Sequence, residues 1–220
     1  MSDTFGMYIP EYFQATDDAI QALLRRPGAV DLVTTTARGI LATLLPMAWD
    51  EPGSRDGLGA HGALVGHVAI KNDQWRETAL GDALAIIRGP DAYITPSWYA
   101  AKREHGRVVP TWNYLIAHAY GRLVIHEDPA WLEANVRRLV ALHEGSREAP
   151  WAVDDAPAAY IEGQLRAIVG VELLIDRLEA KSKLSQNRSA ADVEGVIAGL
   201  EADGERHVSA AMRTTAGEGR

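Results

Sequence analysis

The chain has 220 residues, 47% of them hydrophobic and 24% charged, which is typical of a globular protein that can bury a sizeable core. It contains no cysteine, which excludes disulfides, thiolate metal sites and thiol catalysis. Its formal net charge of −8 disfavours autonomous DNA binding, since DNA-binding proteins usually carry a basic surplus or a basic stripe.

The first half of the chain is predicted to form one helix followed by short strands. Thr16-Asp17-Asp18 supplies a capping hydroxyl and acids to open the helix, and Pro27-Gly28 ends it. A tight turn at residues 37–39 joins two strands into a hairpin. The predicted strands of this half are 29–36, 40–49, 58–70, 83–88 and 92–95, with a loop at 51–57, a short helical or turn segment at 75–81 and a break at Gly89-Pro90.

The second half is predicted to contain the longer strands and most of the helices. Residues 118–126 place apolar and polar side chains on opposite faces, which is typical of a strand. Asp128-Pro129 opens a helix that ends near His143. A second helix is predicted at 157–166, the longest strand at 167–181 and a further helix at 189–200. Strands and helices without a regular alternation indicate an α+β protein built on a closed β-barrel with packed helices.

The predicted organisation is one large domain with a short C-terminal extension. We assign residues 1–188 to a barrel domain with helical insertions, 189–212 to a C-terminal helix and 213–220 to a disordered tail. The first residues lack the basic region and apolar run of a secretory signal, and no apolar run approaches the ~20 residues of a membrane span. We therefore expect a cytoplasmic protein that does not cross a membrane.

Two turn segments carry chemistry that a core does not need. Residues 95–99 and 110–114 each combine a proline, a hydroxyl residue and a tryptophan. Hydroxyls and an asparagine amide offer directed hydrogen bonds, and indole and phenol rings supply flat apolar faces. The two segments are therefore typical of a pocket for a flat ligand with polar edges. The alternative is two proline turns whose aromatic side chains plug one end of a barrel.

Cations and amides cluster at the predicted ends of two strands. Lys71 and Asn72 follow a strand that carries His67, and this arrangement suits a phosphate because a helix start would add backbone donors. Residues 181–188 contain three cations, two hydroxyls and two amides, which can hold a phosphate or a polyol chain. The alternatives are a solvated loop before a helix for the second segment, and a neutral histidine bonded within the barrel for His67.

Several familiar motifs are excluded by their context. Gly57, Gly59 and Gly62 match G-x-G-x-x-G, but a loop precedes them and no helical stripe follows, so we expect no dinucleotide-binding site. The seven histidines show no metal-ligand spacing near carboxylates, so we expect no metal site. The chain has no G-x-S-x-G sequence for a serine nucleophile. Its catalytic residues stay unknown at this point.

Six segments, spread over nearly the whole chain, resemble one known family. They are Met7-Tyr8-Ile9-Pro10 with Phe13, Gly66-His67-Val68-Ala69 with Asn72 and Trp75, Tyr93-Ile94-Thr95-Pro96-Ser97-Trp98-Tyr99, Val109-Pro110-Thr111-Trp112-Asn113-Tyr114, His118, and Lys183-Leu184-Ser185-Gln186-Asn187-Arg188. Together they resemble the PaiB-like family, labelled FMN-binding negative transcriptional regulators. The resemblance implies an FMN-binding split β-barrel, related in fold to pyridoxamine phosphate oxidases and flavin reductases. It also implies a homodimer with the flavin near the subunit interface.

FMN needs cations for its phosphate, polar partners for its ribityl chain and flat faces for its ring. The chain departs from the family at Ile70, where the family has an arginine, and also at Asp73, Ala180 and Ser182. We expect the site residues to converge at a barrel mouth into a single cleft. The cofactor-binding residues that the sequence and the resemblance together predict are His67, Ala69, Lys71, Asn72, Ser97, Trp98, Tyr99, Thr111, Trp112, Asn113, Lys183, Gln186, Asn187 and Arg188.

Three functions stay open, in a fixed order of preference. The first is an FMN-binding protein of the negative transcriptional regulator type, whose regulatory effect is indirect or needs a partner, because DNA contact rests on the family label alone. The second is an FMN-dependent oxidoreductase, such as a flavin reductase or a pyridoxamine-phosphate-oxidase-like enzyme, in which His67, His118 or Tyr99 steers a substrate proton. The third is a haem-binding split barrel, because histidines line two predicted strands.

Overall fold

The computed structural model of this protein describes residues 6–218. Residues 1–5 and 219–220 lie outside this description, as do the side chains of Ala216 and Glu218. The expected lack of a secretory signal concerns the first residues, which therefore fall outside the described part. The last two residues of the predicted disordered tail fall outside it as well.

The described residues contain six antiparallel strands that close into a barrel. The strands are β1 (Ala29–Thr36), β2 (Gly39–Asp50), β3 (Ala63–Ala69), β4 (Ala83–Ile94), β5 (Thr111–His126) and β6 (Ile168–Lys183). Their order around the barrel is β1-β2-β3-β6-β5-β4. Strands β1 and β2 pair along the whole of β1, with Thr36 opposite Gly39, so the predicted hairpin is confirmed. Alternate residues of β1, beginning with Val30 and Leu32, are buried in the barrel core, as strand geometry requires.

Six helices accompany the strands within residues 6–218. They are α1 (Asp17–Arg25), α2 (Ala101–Glu104), α3 (Pro129–Glu144), α4 (Ala158–Leu165), α5 (Ala190–Asp203) and α6 (Arg206–Glu218). The predicted start of α3 is confirmed, because the Asp128 side chain accepts a hydrogen bond of 3.0 Å from the amide of Trp131. In the described part of the chain, every helix is too short or too polar to cross a bilayer.

The chain divides into two compact units, each assembled from segments that are distant in sequence. The barrel unit comprises Gln21–Ile87 and His118–Glu179. The terminal unit comprises Met1–Ile20, Arg88–Ala117 and Ala180–Arg220, and it has a core of its own. The buried residues of that core are Ala92, Ile94, Tyr99, Leu184, Val196, Ile197, Leu200, Val208 and Met212. The predicted division at residues 188 and 212 stays a prediction.

The predicted break at Gly89-Pro90 is wrong, because β4 runs through it without interruption. Proline lacks an amide hydrogen and is tolerated where a strand has no neighbour to donate to. The pairing of β4 with β1 involves only residues 84–86, so Pro90 lies beyond it. A Cβ atom on Gly89 would lie 2.9 Å from the Cβ of Leu115, so glycine is needed here for the close approach of β5.

Two other strand predictions need correction. The turn predicted at residues 110–114 is wrong from Thr111 onward, because β-forming side chains extend β5 to that residue. The strand predicted at 58–70 begins only at Ala63, since Gly62 has a left-handed φ of 84° and forms a bridge with Gly59 in a tight turn. His61 is therefore outside the strand and exposed.

The predicted C-terminal helix is two helices, and the predicted disorder is wrong for residues 213–218. Gly204 has a left-handed φ of 87° and ends α5, while its amide bonds to the carbonyl oxygen of Glu201. The chain then continues as α6. Val208 and Met212 are each 1% exposed, so packing against the terminal core stabilises a segment whose composition alone does not favour a helix.

Candidate functional site

The terminal unit gathers three cations at the end of β6. Lys181 and Lys183 lie two residues apart on β6 and therefore share one face of the strand. The ammonium nitrogens of both lysines lie 5.8 Å from the centre of the Tyr114 ring. Arg188 follows in the next turn, where its guanidinium carbon lies 4.7 Å from the centre of the Tyr99 ring. We call Lys181, Lys183 and Arg188 the cationic cluster.

Strand β5 holds one cation of this cluster beside an exposed indole. Lys183 Nζ donates hydrogen bonds to the Thr111 hydroxyl and, over 2.8 Å, to the carbonyl oxygen of Trp112. The Trp112 indole donates to an Asp91 carboxylate oxygen at 2.7 Å and meets the Tyr93 ring edge-on at 6.1 Å. Trp112 is 49% exposed and yet held in place. It therefore offers a fixed aromatic surface next to a positive charge.

The N-terminal segment surrounds a second cation with aromatic rings. Lys181 Nζ donates to the carbonyl oxygen of Tyr8 at 3.0 Å. It also lies 5.6 Å from the Tyr8 ring centre and 6.0 Å from that of Phe13. Cation–π attraction stabilises an ammonium group in such a position without neutralising its charge.

The charge of the cationic cluster is not compensated by acids. Within the described part of the chain, none of the three side chains takes part in an ion pair with a carboxylate. Burial, together with the positive charges of Lys181 and Arg188, holds the pKa of Lys183 below its ordinary value. An anion bound among these cations would relieve their mutual repulsion, so the cluster fits a phosphate.

The segment that follows β6 is a folded turn and not a solvated loop. Ser185 has a left-handed φ of 68°, which is uncommon for a residue with a side chain. Gln186 uses its side chain on the turn itself, since it accepts from the Leu184 amide at 2.7 Å and donates to the Ser182 carbonyl oxygen at 2.6 Å. The Arg188 amide donates to the Ser185 carbonyl oxygen at 3.0 Å. These bonds fix the direction in which the cations point.

Asn113 supports this turn from beneath. Its side chain is fully buried, and its amide nitrogen donates to the Ser185 hydroxyl at 3.0 Å and to the Met212 sulfur at 3.5 Å. Asn187, by contrast, is exposed. Among the predicted site residues of this region, Asn113 and Gln186 are thus engaged within the protein, whereas Asn187 is open to solvent.

The segment at 95–99 is the predicted turn, and it packs against α5. The Thr95 hydroxyl accepts from the Ser97 amide at 3.3 Å, and Ser97 itself is exposed. The Trp98 ring lies so close to Gly199 that a Cβ atom there would meet it at 2.3 Å. Tyr99 is 1% exposed, and burial raises the pKa of its hydroxyl. The two aromatic side chains of this turn, Trp98 and Tyr99, therefore pack inward.

Four predicted site residues belong to the barrel unit. His67 lies on β3 with its Nδ1 buried and without a hydrogen-bond partner in the described residues, and burial lowers its pKa. Ala69 and Lys71 are exposed. Asn72 donates to the Thr43 hydroxyl at 3.0 Å, and its side-chain oxygen caps the short helical turn that follows. These residues therefore form the predicted strand end with a capped turn.

The other ten predicted residues lie in the terminal unit, where Thr111, Trp112 and Lys183 are in direct contact. The convergence of both sets into a single cleft stays a prediction. Sequence reasoning did not select the rings of Tyr8, Phe13 and Tyr114 as partners of the lysines. For Tyr114 a signal was available, because it lies two residues after Trp112 on one strand.

A second polar cluster lies on the barrel unit, where β5 and β6 each contribute two side chains. The Tyr120 hydroxyl lies 3.4 Å from His118 Nδ1 and 3.5 Å from a Glu179 oxygen, with the Arg177 guanidinium carbon 3.6 Å from the Tyr120 ring centre. Burial lowers the pKa of His118 and raises the pKa of Tyr120, so both side chains are neutral near pH 7. Residues 6–218 contain no group of three or more His, Asp or Glu arranged to hold a metal.

The sequence matches a known family over most of its length. Residues 7–177 match the model of the family described as "Putative FMN-binding domain". The Bacillus subtilis protein named Protease synthase and sporulation protein PAI 2 is 34% identical over 197 residues, which cover 89% of this chain and 89% of that protein. An uncharacterized protein of Emericella nidulans is 33% identical over 227 residues, which cover 89% of this chain and 90% of the relative.

Solved structures with little sequence identity share the architecture. The flavocytochrome Anf3 from Azotobacter vinelandii has a TM-score of 0.53 at 13% identity, covering 80% of this chain and 72% of its own. The FAD and heme binding protein from Mycobacterium smegmatis has a TM-score of 0.50 at 16% identity, covering 86% and 80%. At such identities the likeness concerns the fold alone. The predicted α+β split barrel is confirmed.

Buried His67 makes stability depend on pH in a defined direction. Its pKa is lowered in the folded protein, so below the ordinary value of 6.5 the unfolded chain binds the proton more readily. We expect the free energy of unfolding to fall as the pH drops below 6.5, by up to about 1.4 kcal/mol per pH unit for this proton. His67→Asn should flatten that slope in urea titrations between pH 5 and about 7, whereas the exposed-site variant His143→Asn should keep it. Equal slopes for the two variants would contradict the assignment.

Proposed function

The chain belongs to the PaiB-like FMN-binding family, and we propose on that premise that it binds FMN with the cationic cluster against the phosphate. The observation that carries the proposal is the uncompensated positive charge at Lys181, Lys183 and Arg188 in a protein whose net charge is −8. Like charges that are held together without acidic partners raise the free energy of the ligand-free protein. A dianionic phosphate removes this repulsion and accepts charge-assisted hydrogen bonds.

The aromatic side chains of the same unit suit the remainder of the cofactor. Trp112 is half exposed and fixed by its bond to Asp91, and Tyr93 is 50% exposed beside it. Such rings can flank an isoalloxazine, while the exposed Asn187 side chain is available to the ribityl hydroxyls. The exposed Ser97 hydroxyl accepts from Lys102 Nζ at 3.0 Å and can donate its own hydrogen to the same chain. When bound, the flavin supplies hydride or electron transfer, and the protein contributes binding, orientation and exclusion of water.

The regulatory part of the proposal is an indirect effect on transcription. The family label suggests regulation, but contact with DNA requires a basic surface, and the chain has 30 acidic residues against 22 basic ones. The cationic cluster of the terminal unit contains only three positive charges, and we propose that they bind the flavin phosphate. We therefore expect any regulatory effect to depend on the flavin or on a partner protein.

Lys183→Met should weaken FMN binding about tenfold or more, because one charge-assisted bond to the phosphate is worth about 1.5–3 kcal/mol. The measurement is the quenching of flavin fluorescence in a titration of the purified protein. Arg103→Met removes an exposed cation from the same unit and should leave the affinity unchanged. If the parent protein shows no saturable signal with FMN, the flavin proposal fails.

The same titration has a pH dependence that identifies Lys183. Because its pKa is lowered, the ammonium group loses its proton earlier than an ordinary lysine as the pH rises. FMN affinity of the parent protein should therefore fall on the alkaline side of neutrality. Lys183→Arg keeps the positive charge throughout the alkaline part of the titration and should therefore abolish the fall in FMN affinity. An unchanged decline in this variant would assign the titration to another group.

An oxidoreductase is the second candidate, favoured by the cluster of Tyr120 and His118. A neutral imidazole beside a protonated phenol can relay a proton to or from a substrate. Reduced nicotinamide cofactor should then bleach the flavin-loaded protein under anaerobic conditions, and Tyr120→Phe should slow turnover about 100-fold or more. Tyr160→Phe changes an exposed tyrosine and serves as the control. Absence of bleaching with either reduced nicotinamide cofactor would remove this candidate.

We also propose a homodimer that uses the outer face of β4, β1 and β2. In the barrel unit Val33 lies opposite both Ala42 and Leu84, so apolar side chains form a row across three strands. Ile40 and Leu44 on the same face of β2 are 72% and 65% exposed. Asp31 lies on the same face, opposite Leu44, so the face is an apolar patch with one charged side chain, and an exposed apolar patch is typical of a protein–protein interface.

Leu44→Asp should convert the dimer into a monomer, since burying an unpaired carboxylate in an apolar interface costs several kcal/mol. Sedimentation velocity at micromolar protein gives the oligomeric state directly. Tyr160→Asp places the same charge at another exposed apolar position of the barrel unit and should remain dimeric. A monomeric parent protein, or a dimer that survives Leu44→Asp, would contradict this interface.

A further inference from the structure

The barrel unit contains a cavity of about 540 Å³ that is lined by none of the predicted flavin-binding residues. This volume is within the range of small-molecule sites. One wall is the chain from Gln74 to Asp82, and the other is the outer end of β5 at Arg122, Leu123 and Ile125.

The first wall is attached to the barrel at both ends. The side-chain Nε2 of Gln74 donates to the Leu32 carbonyl oxygen at 3.0 Å, and the backbone amide of Leu80 donates to the Thr35 carbonyl oxygen at 2.7 Å. These bonds tie an otherwise irregular segment to β1. The cavity is therefore formed in advance of any ligand, which lowers the entropy lost on binding.

Gln74 leaves one acceptor without a partner. Its side-chain nitrogen faces the carbonyl oxygens of Leu32 and Leu41, so the orientation of the amide is fixed, because the opposite orientation would set oxygen against oxygen. Its Oε1 is buried and has no hydrogen-bond partner in the described residues, although Gln74 is only 4% exposed. Buried acceptors without partners are rare and costly, and this one belongs to a side chain of the cavity wall.

Two opposite charges on the cavity wall are also unpaired. Arg122 and Asp82 both line the cavity, yet neither takes part in an ion pair within residues 6–218. The other charged residues of the wall are engaged, since Glu77 pairs with Arg38 at 2.9 Å and Arg76 lies 3.5 Å from Asp73. The cavity thus offers one positive and one negative group that do not form an ion pair with each other.

We propose that this cavity binds a zwitterionic amino acid with an apolar side chain. Arg122 donates hydrogen bonds to the carboxylate, because a guanidinium presents paired donors that match it. Asp82 accepts hydrogen bonds from the ammonium group, which has three donors. Trp75, Leu123 and Ile125 supply an apolar surface for the side chain. The site is distinct from the cationic cluster and does not depend on flavin binding.

The test is a titration with L-phenylalanine, followed through the indole N–H resonance of Trp75, which is assigned with a Trp75→Phe sample. Two truncated probes accompany it: 3-phenylpropanoate lacks the ammonium group, and 2-phenylethylamine lacks the carboxylate. Each probe should bind about 10- to 100-fold more weakly than the amino acid, as expected for the loss of one charged hydrogen-bonding group. Equal affinity for all three compounds, or no saturable shift with any of them, overturns the proposal.

Variants of the two charged residues separate this site from the flavin site. Arg122→Gln and Asp82→Asn should each weaken phenylalanine binding to the same extent as the matching truncated probe. Arg166→Gln removes an arginine directly after α4 whose side chain is 73% exposed, and it should have no effect. The titration is repeated with saturating FMN, which should leave phenylalanine binding unchanged. Displacement of phenylalanine by FMN would place the cavity within the flavin site and overturn the proposal.

Discussion

The alternation of side chains along β6 is the constraint on which the structure depends most. In the first part of this 16-residue strand both faces are buried in the barrel unit, from Val169 to Ile175. From Arg177 onward the odd-numbered residues are charged, and the even-numbered Ala180 and Ser182 are buried in the terminal unit. A strand has only two faces, so the partial exposure of one of them after Ile175 sets Lys181 and Lys183 side by side on the less buried face.

The cationic cluster exists because the surrounding structure holds it against its own repulsion. Three positive charges without acidic partners would separate if their side chains were free. The carbonyl oxygens of Tyr8 and Trp112 and the left-handed turn at Ser185 keep them in place. Such an arrangement costs stability in the ligand-free protein, and binding of an anion recovers it, which is how a protein couples its fold to a phosphate-bearing cofactor.

Most of the architecture could be predicted from local patterns, and the errors have local causes. The hairpin of β1 and β2 and the helix that begins after Asp128 follow from propensity, turn residues and capping. The break at Gly89-Pro90 was wrong because β1 does not pair there, and the tail was wrong because Met212 packs into a core that no sequence window contains. Within the candidate site, composition predicted the cations but not the rings of Tyr8 and Phe13, which are distant in sequence.

The sequence by itself determined the class of protein, the lack of thiol chemistry, and the set of cations, hydroxyls and aromatic rings from which a flavin site can be built. These properties depend on residue type and on short-range spacing, and both can be read from a short stretch of the sequence. Only the tertiary structure decided that Asn113 and Gln186 support the turn and that Lys183 is half-buried. Burial and partner choice depend on contacts between segments that are distant in the chain, and no local pattern encodes those contacts.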